Sequence, residues 1–126
     1  MSFNNERLAI EDRFEEHWKD TSIAWPNVAF DMPNNEDWVK ITILNGSSSY
    51  RAINNSKRHT GIIVVQLFTP IDSGTSIIRK HADTVVSIFD GKQFSDVVCD
   101  VASIETVGTN DIWHQVNVTI PYWRDE

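Results

Sequence analysis

The chain has 126 residues, with 11 Lys and Arg against 18 Asp and Glu, a net charge of −7 with His neutral. That length suits a single domain spanning 1–126, large enough to bury a core without disulfide or metal staples. The acidic balance excludes a general nucleic-acid binder, which needs basic charge to displace counterions, and the 10% aromatic content excludes a disordered acidic tail.

The start, MSFNNERLAIEDRFEE, is polar and acidic rather than basic and apolar as a signal peptide would be. Asn4 to Asp20 predicts a first helix, with Leu8, Ile10, Phe14 and Trp18 as its apolar stripe and Phe3 as a staple ahead of it. Its other face sets six acids against three bases, with Glu11, Glu15 and Glu16 at its centre. Such a face is either simply solvated or a docking surface. Trp25-Pro26 should end the helix before it, because the residue preceding Pro is pushed out of the α region.

Val28 to Phe30 predicts a short strand, and the turn-rich DMPNNED follows. WVKITIL, Trp38 to Leu44, alternates as a half-buried strand, with Val39, Ile41 and Ile43 on one face and Lys40 and Thr42 on the other. Asn45 to Ser56 is Ser/Asn-rich and predicts a long loop or hairpin anchored by Tyr50, Ala52 and Ile53. RHTGIIVVQLFT, Arg58 to Thr69, is apolar on both faces, so both faces should be covered. Asp72 or Ser73 then caps a second helix running to Phe89, whose stripe is Ile77, Ile78, His81, Ala82, Val85, Ile88 and Phe89, with Asp90-Gly91 as the stop. Phe94 to Ile104 alternates with Val97, Cys99 and Val101 inward, GTND makes a hairpin turn, and Ile112 to Tyr122 alternates to the end. Pro121 in that last strand suits an edge or terminal position. The order helix, strands, helix, strands predicts an α+β fold: a mostly antiparallel sheet with two helices on one face.

Chemistry is sparse. His17, His59, His81 and His114 fall on four different elements, without metal spacing. His81 and His114 read as core or interface histidines and His59 as exposed. Cys99 stands alone, which excludes an internal disulfide and a cysteine zinc site, and its place between Val97 and Val101 makes it a small core hydrophobe. The expected compartment is therefore a reducing cytoplasm, or a route out of it other than secretion. No apolar run approaches the ~20 residues of a membrane span. IDSGTS lacks the Lys of a phosphate-binding loop, and Glu15-Glu16 and Glu36-Asp37 are adjacent pairs whose side chains do not face each other. No catalytic, cofactor or metal residue is assigned. An alternative is a small α+β enzyme or ligand-binding protein, with a pocket between sheet and helices using His81 or His114 and Asp100.

One positive segment stands out: Arg51, Lys57 and Arg58, with no acid between Asn45 and Thr60. It is either a solvated loop or a contact, with Tyr50 as its aromatic anchor, for an acidic surface such as Glu11, Glu15 and Glu16 of a neighbouring copy. Trp25, Trp113 and Trp123 lie outside the obvious stripes, as core at the sheet edges or as subunit contacts.

The amphipathic first helix, WVKITIL, RHTGIIVVQLFTP running through IDSG into the second helix, and the closing IWHQVNVTIPYW together resemble the tail terminator (tail completion) proteins of long-tailed bacteriophages. The resemblance spans nearly the whole chain. It implies a structural, non-enzymatic virion protein, made in the host cytoplasm and placed at the tail–neck junction. As a hexameric ring it would cap the tail tube, stop its polymerisation and present a surface to head–tail connector or neck proteins. DNA would pass through the lumen without specific binding.

Overall fold

The computed structural model describes residues 1–51 and 55–126. Ala52 and Ile53, two of the expected loop anchors, lie outside the described residues. Helix α1 spans Phe3–His17, helix α2 Ser76–Phe89, and the strands are β1 Ser22–Ala24, β2 Trp38–Tyr50, β3 Lys57–Pro70, β4 Gln93–Phe94, β5 Val97–Cys99, β6 Ser103–Thr109 and β7 Trp113–Asp125. They form one sheet in the order β1-β2-β3-β7-β5-β4, with β6 also on β7; among the described residues only β1–β2 is parallel. The α+β expectation holds in both element order and sheet type.

Strand register explains the single main core. Ile41, Val65 and Val118 are neighbours across β2, β3 and β7, as are Ile43, Ile63 and Ile120. With a side-chain period of two, these rows share a face. That face packs against Ile10 and Phe14 of α1 and Ile78, Val85 and Phe89 of α2. The opposite phase of β3 is only partly covered: Ile62 is exposed and Val64 half-buried, whereas Phe68 stacks on Trp38 at 4.1 Å. The expectation that both faces of β3 are covered therefore holds within the chain at one end only.

Several local expectations are corrected. Leu8 is exposed, and Glu6 takes its place in the buried stripe with Ile10 and Phe14. At 3.6 residues per turn, Leu8 lies about 160° around the helix from Ile10. Ser2 caps α1 by accepting from Asn5 N at 3.0 Å. The first strand is Ser22–Ala24 rather than Val28–Phe30, because Asn27, at φ +55°, turns the chain and leaves Val28 exposed. The region from Asn45 is not a loop at once: β2 continues past a bulge between Asn45 and Ser48, and Tyr50 pairs with Lys57. Helix α2 starts at Ser76, later than a cap at Asp72 or Ser73 would place it. Positive φ at Asp72 and Gly74 spends those residues on reversing the chain. Within α2, Ile77 is exposed and His81 only half-buried.

The expected single strand Phe94–Ile104 is divided among β4, β5 and β6, with a turn at Ser95 (φ +51°), and Val101, between β5 and β6, is 75% exposed. Asp100 N donates to Pro121 O at 2.8 Å and Ala102 N to Asp90 Oδ1 at 2.6 Å, so the alternation slips between β5 and β6. The same break resolves Pro121. Its strand β7 is central, yet its nitrogen faces the gap between β5 and β6, where no ladder donor is required.

Gly61 faces Tyr122 across the β3–β7 ladder, and a Cβ there would fall on the phenol, 2.5 Å from Cζ. Tyr122 leans over this glycine to donate its hydroxyl to Glu6 at 2.9 Å. Gly61→Ala is expected to cost about 1–3 kcal/mol, as an overpacked core does. Chemical denaturation of the variant beside wild type checks this, and an unchanged midpoint would refute it.

Candidate assembly surfaces

The end of the β2–β3 hairpin carries the basic segment. Tyr50, Arg51 and Lys57 are exposed, and the Lys57 ammonium lies 5.9 Å from the Tyr50 ring. Arg58 is committed within the chain instead. Its Nε and Nη2 donate to the two Asp125 oxygens at 2.7 and 2.9 Å, and its guanidinium lies 3.7 Å from the Trp123 ring. Trp123 is thus half-buried beneath Arg58. A bidentate pair stacked on indole is the geometry that favours Arg over Lys.

His59, expected to be exposed, is buried. Ser48 Oγ lies 2.6 Å from its Nδ1, Glu126 Oε2 lies 2.9 Å from its Nε2, and Phe3 meets its ring edge-on at 4.9 Å. The sequence hides these contacts because Arg58 and His59 each lie 67 residues from their carboxylate partners.

The hydrogen bond from Arg58 holds the Asp125 carboxyl below its ordinary value, and His59 does the same for Glu126. Groups with lowered folded values stabilise the chain above their unfolded values, about pH 4, and lose that contribution as pH falls through the folded values. Acid titration should therefore destabilise wild type more than an Asp125→Asn/Glu126→Gln variant. The two stability curves should converge at low pH, and parallel curves would disprove the link.

On α1, Glu15 and Glu16 are exposed, while Glu11 is half-buried and accepts from Arg7 at 3.1 Å. No direct contact joins the hairpin end to these three acids among the described residues. Trp25 is half-buried, edge-on to Phe14 at 6.4 Å. Trp113 is buried in a second cluster with Trp38 and Ala24, beside Phe30 and Phe68.

Sequence reasoning missed the most buried charges. Arg124 and Glu6 are joined at 2.7 Å, and Arg124 Nη1 donates to Met1 O at 2.8 Å. The available signal was phase: Arg124 continues the inward period of Ile120 and Tyr122, and Glu6 precedes Ile10 by four residues.

The structure gives His81, His114 and Asp100 separate partners. His81 sits between Asp37 at 2.9 Å and Asp20 at 3.9 Å, against Trp18. His114 Nδ1 bonds Thr109 Oγ1 at 2.9 Å. Asp100 is exposed, with its backbone tied to Pro121 and Gly91. The concavity of about 580 Å³ beside Asp37 is lined by Lys19, Asp20, Thr21, Ser22 and Glu36, all polar. Among the described residues no group of three His, Cys, Asp or Glu could hold a metal ion, and no helix is long and apolar enough to cross a membrane. Cys99 is buried as expected, and desolvation pushes its thiol up to about 12.

The sequence profile of a family described as "Phage tail terminator protein" matches residues 7–122. No curated protein matches the chain. A solved structure 19% identical in sequence superimposes with a TM-score of 0.76, over 100% of this chain and 96% of that one. At such identity the likeness speaks for the fold.

Proposed function

Because the chain belongs to the phage tail terminator family, we propose that it acts by forming a ring that caps the finished tail tube, halts tube polymerisation and offers the surface to which the head or neck attaches. The family is a structural one, placing the chain in the virion tail, and the role requires binding without turnover. The observation that carries this reading is the family match over residues 7–122, which includes Ile10 and Phe14 of α1, the whole of α2 and most of β7. The net charge of −7 agrees with it, since a lumen that DNA slides through should not hold phosphates. Six copies per ring is the expected number.

The test combines purified protein with polymerising tube protein and follows particles by electron microscopy and mass. Rings of six at tube ends and a bounded tube length are expected. A protein that stays monomeric, both alone and with tubes, and leaves their length unchanged overturns the reading.

Within this reading, Tyr50, Arg51 and Lys57 form a contact surface at the end of the strands rather than along a sheet edge. That position suits an acidic partner along the ring axis, such as tube or neck protein, while Glu15 and Glu16 offer the opposite charge elsewhere. Arg51→Glu with Lys57→Glu should weaken tube or neck binding about tenfold at low salt, and less at physiological salt where exposed charges are screened. Unchanged binding at both salt levels removes this surface from the contact.

A further inference from the structure

Strand direction gathers one set of loops at the end of the sheet opposite the β2–β3 hairpin. β2 starts there at Trp38, β3 finishes there at Pro70 and β7 starts there at Trp113, with Trp38 opposite Phe68 and Pro70 opposite Trp113. At about 3.4 Å per residue, the 14 residues of β3 put this end roughly 40 Å from Tyr50, Arg51 and Lys57. One chain therefore presents two separate end surfaces that point in opposite directions.

The far end is apolar at its centre. A groove of about 280 Å³ is lined by Pro70, Ile71, Ile112 and Trp113, with Asn35 and Asp111 beside them. Ile112 is 62% exposed and Ile71 39%. Their backbones are tied together, since Ile71 N donates to Ile112 O at 3.1 Å. Asn110 Oδ1 accepts from Ile112 N at 2.8 Å and from Trp113 N at 2.7 Å. Trp113, at the base of this turn, is itself packed in the aromatic cluster with Trp38 and Phe68. Exposed isoleucines on a fixed backbone over a packed base need little ordering before they bind.

The charge at this end is of one sign. Glu36, Asp37, Asp72 and Asp111 lie here, and residues 30–39, 70–78 and 107–115 contain no Lys or Arg. His81 takes up Asp37 at 2.9 Å. Glu36, Asp72 and Asp111 are exposed, and none is in an ion pair among the described residues. Asp111 lines the groove itself, Pro70 also lines the adjoining hollow that holds Asp72, and Glu36 follows Asn35 in the chain. The hairpin end carries the opposite pattern, an exposed Tyr50 with Arg51 and Lys57.

We infer that the groove at Ile71 and Ile112 is a second docking face, which takes an apolar side chain flanked by Lys or Arg on the protein that meets the ring on the side away from the hairpin ends. The apolar side chain buries against the two isoleucines, and its basic neighbours meet Glu36, Asp72 and Asp111. The sign of charge then tells the two axial partners apart. An acidic partner drawn to Arg51 and Lys57 is repelled by the acidic end, so the ring is added in one orientation. This inference rests on the ring reading above and assigns its second face.

The test measures binding of wild-type and variant protein to two probes from the same phage: isolated tail tubes, and tailless heads carrying the neck. Ile112→Ser and Glu36→Lys/Asp111→Lys alter exposed side chains only, and should keep the urea midpoint of the wild type. Asp72 is left in place because its φ of +65° disfavours Lys. Both variants should bind the same one of the two probes about tenfold more weakly and the other normally, while Arg51→Glu/Lys57→Glu shows the reverse selectivity. The deficit of the Lys variant should shrink from low to physiological salt, and that of Ile112→Ser should not. Normal binding of both probes by the groove variants, or loss on the probe that the hairpin variant also loses, overturns the second face while leaving the ring intact. Groove variants that stay folded but no longer form rings overturn it too, by making the groove a contact between copies. Wild-type protein that forms no ring and binds neither probe overturns the ring reading and this face together.

Discussion

Glu6→Ala or Arg124→Ala is expected to remove about 3–5 kcal/mol of folding stability, the range measured when one partner of a buried ion pair is deleted. Arg124 is 0% exposed and Glu6 3% exposed, so either survivor would be a charge left in the core. The pair is also where distant parts of the chain meet. Glu6 on α1 receives Arg124 at 2.7 Å and the Tyr122 hydroxyl at 2.9 Å, both from β7. Burial, together with the adjacent Glu6 carboxylate, raises the Tyr122 phenol above its ordinary value, so it remains a donor. Against a typical total of roughly 5–15 kcal/mol for a domain, either loss is large. Urea denaturation of the two single variants and of Glu6→Leu/Arg124→Met separates the contributions. The double replacement should recover part of the loss: an apolar pair of similar volume avoids the desolvation of two charges, while the Tyr122 hydroxyl, left without Glu6, keeps a penalty of roughly 1–3 kcal/mol. The account fails if either single variant costs under about 1 kcal/mol, the value of a solvated surface pair.

The contrast between this pair and the aliphatic core explains how much of the fold was readable. Ile63, Val65 and Leu67 of β3 and Val116, Val118 and Ile120 of β7 are all buried, as their two-residue period required. Ile78, Ala82, Val85, Ile88 and Phe89 of α2 follow the helical period in the same way. Those elements carry their pattern locally. The Ser-rich arm of β2 does not, because its side chains have low strand propensity. It is held by distant partners: Ser48 by His59, and the facing Arg58 by Asp125 and Trp123. The break between β5 and β6 was hidden for a related reason, since it depends on Asp90 and Pro121 capturing the backbone of Ala102 and Asp100.

The candidate surfaces divide along the same line. Charge alone singled out Arg51, Lys57 and Arg58, but only the fold separates Arg58, spent on Asp125, from the other two. No charge run or apolar stripe marked β6, all but one of whose residues are exposed. Its place comes from topology: it pairs with β7 on the side away from β3, beyond the end of β5. Strand direction and free edges are properties of the assembled sheet, so no window of sequence contains them.

Trp113 brings these considerations to a single side chain. In sequence it stood as either a sheet-edge core residue or a subunit contact; in the fold it is 6% exposed and meets Trp38 edge-on at 6.0 Å, with Trp38 stacked on Phe68. Trp113→Ala should therefore destabilise the isolated chain by about 3–5 kcal/mol, the cost of removing a large aromatic from a packed cluster. The indole N–H groups of Trp38 and Trp113 are both buried without a hydrogen-bond partner among the described residues. Each carries a desolvation penalty of roughly 1–3 kcal/mol, so Trp113→Phe should lose much less than the alanine variant because it removes the orphaned donor along with part of the ring. Denaturation of the monomer at a concentration below assembly reads both variants. A Trp113→Ala chain as stable as wild type when monomeric, yet unable to assemble, would instead make this tryptophan a contact between copies.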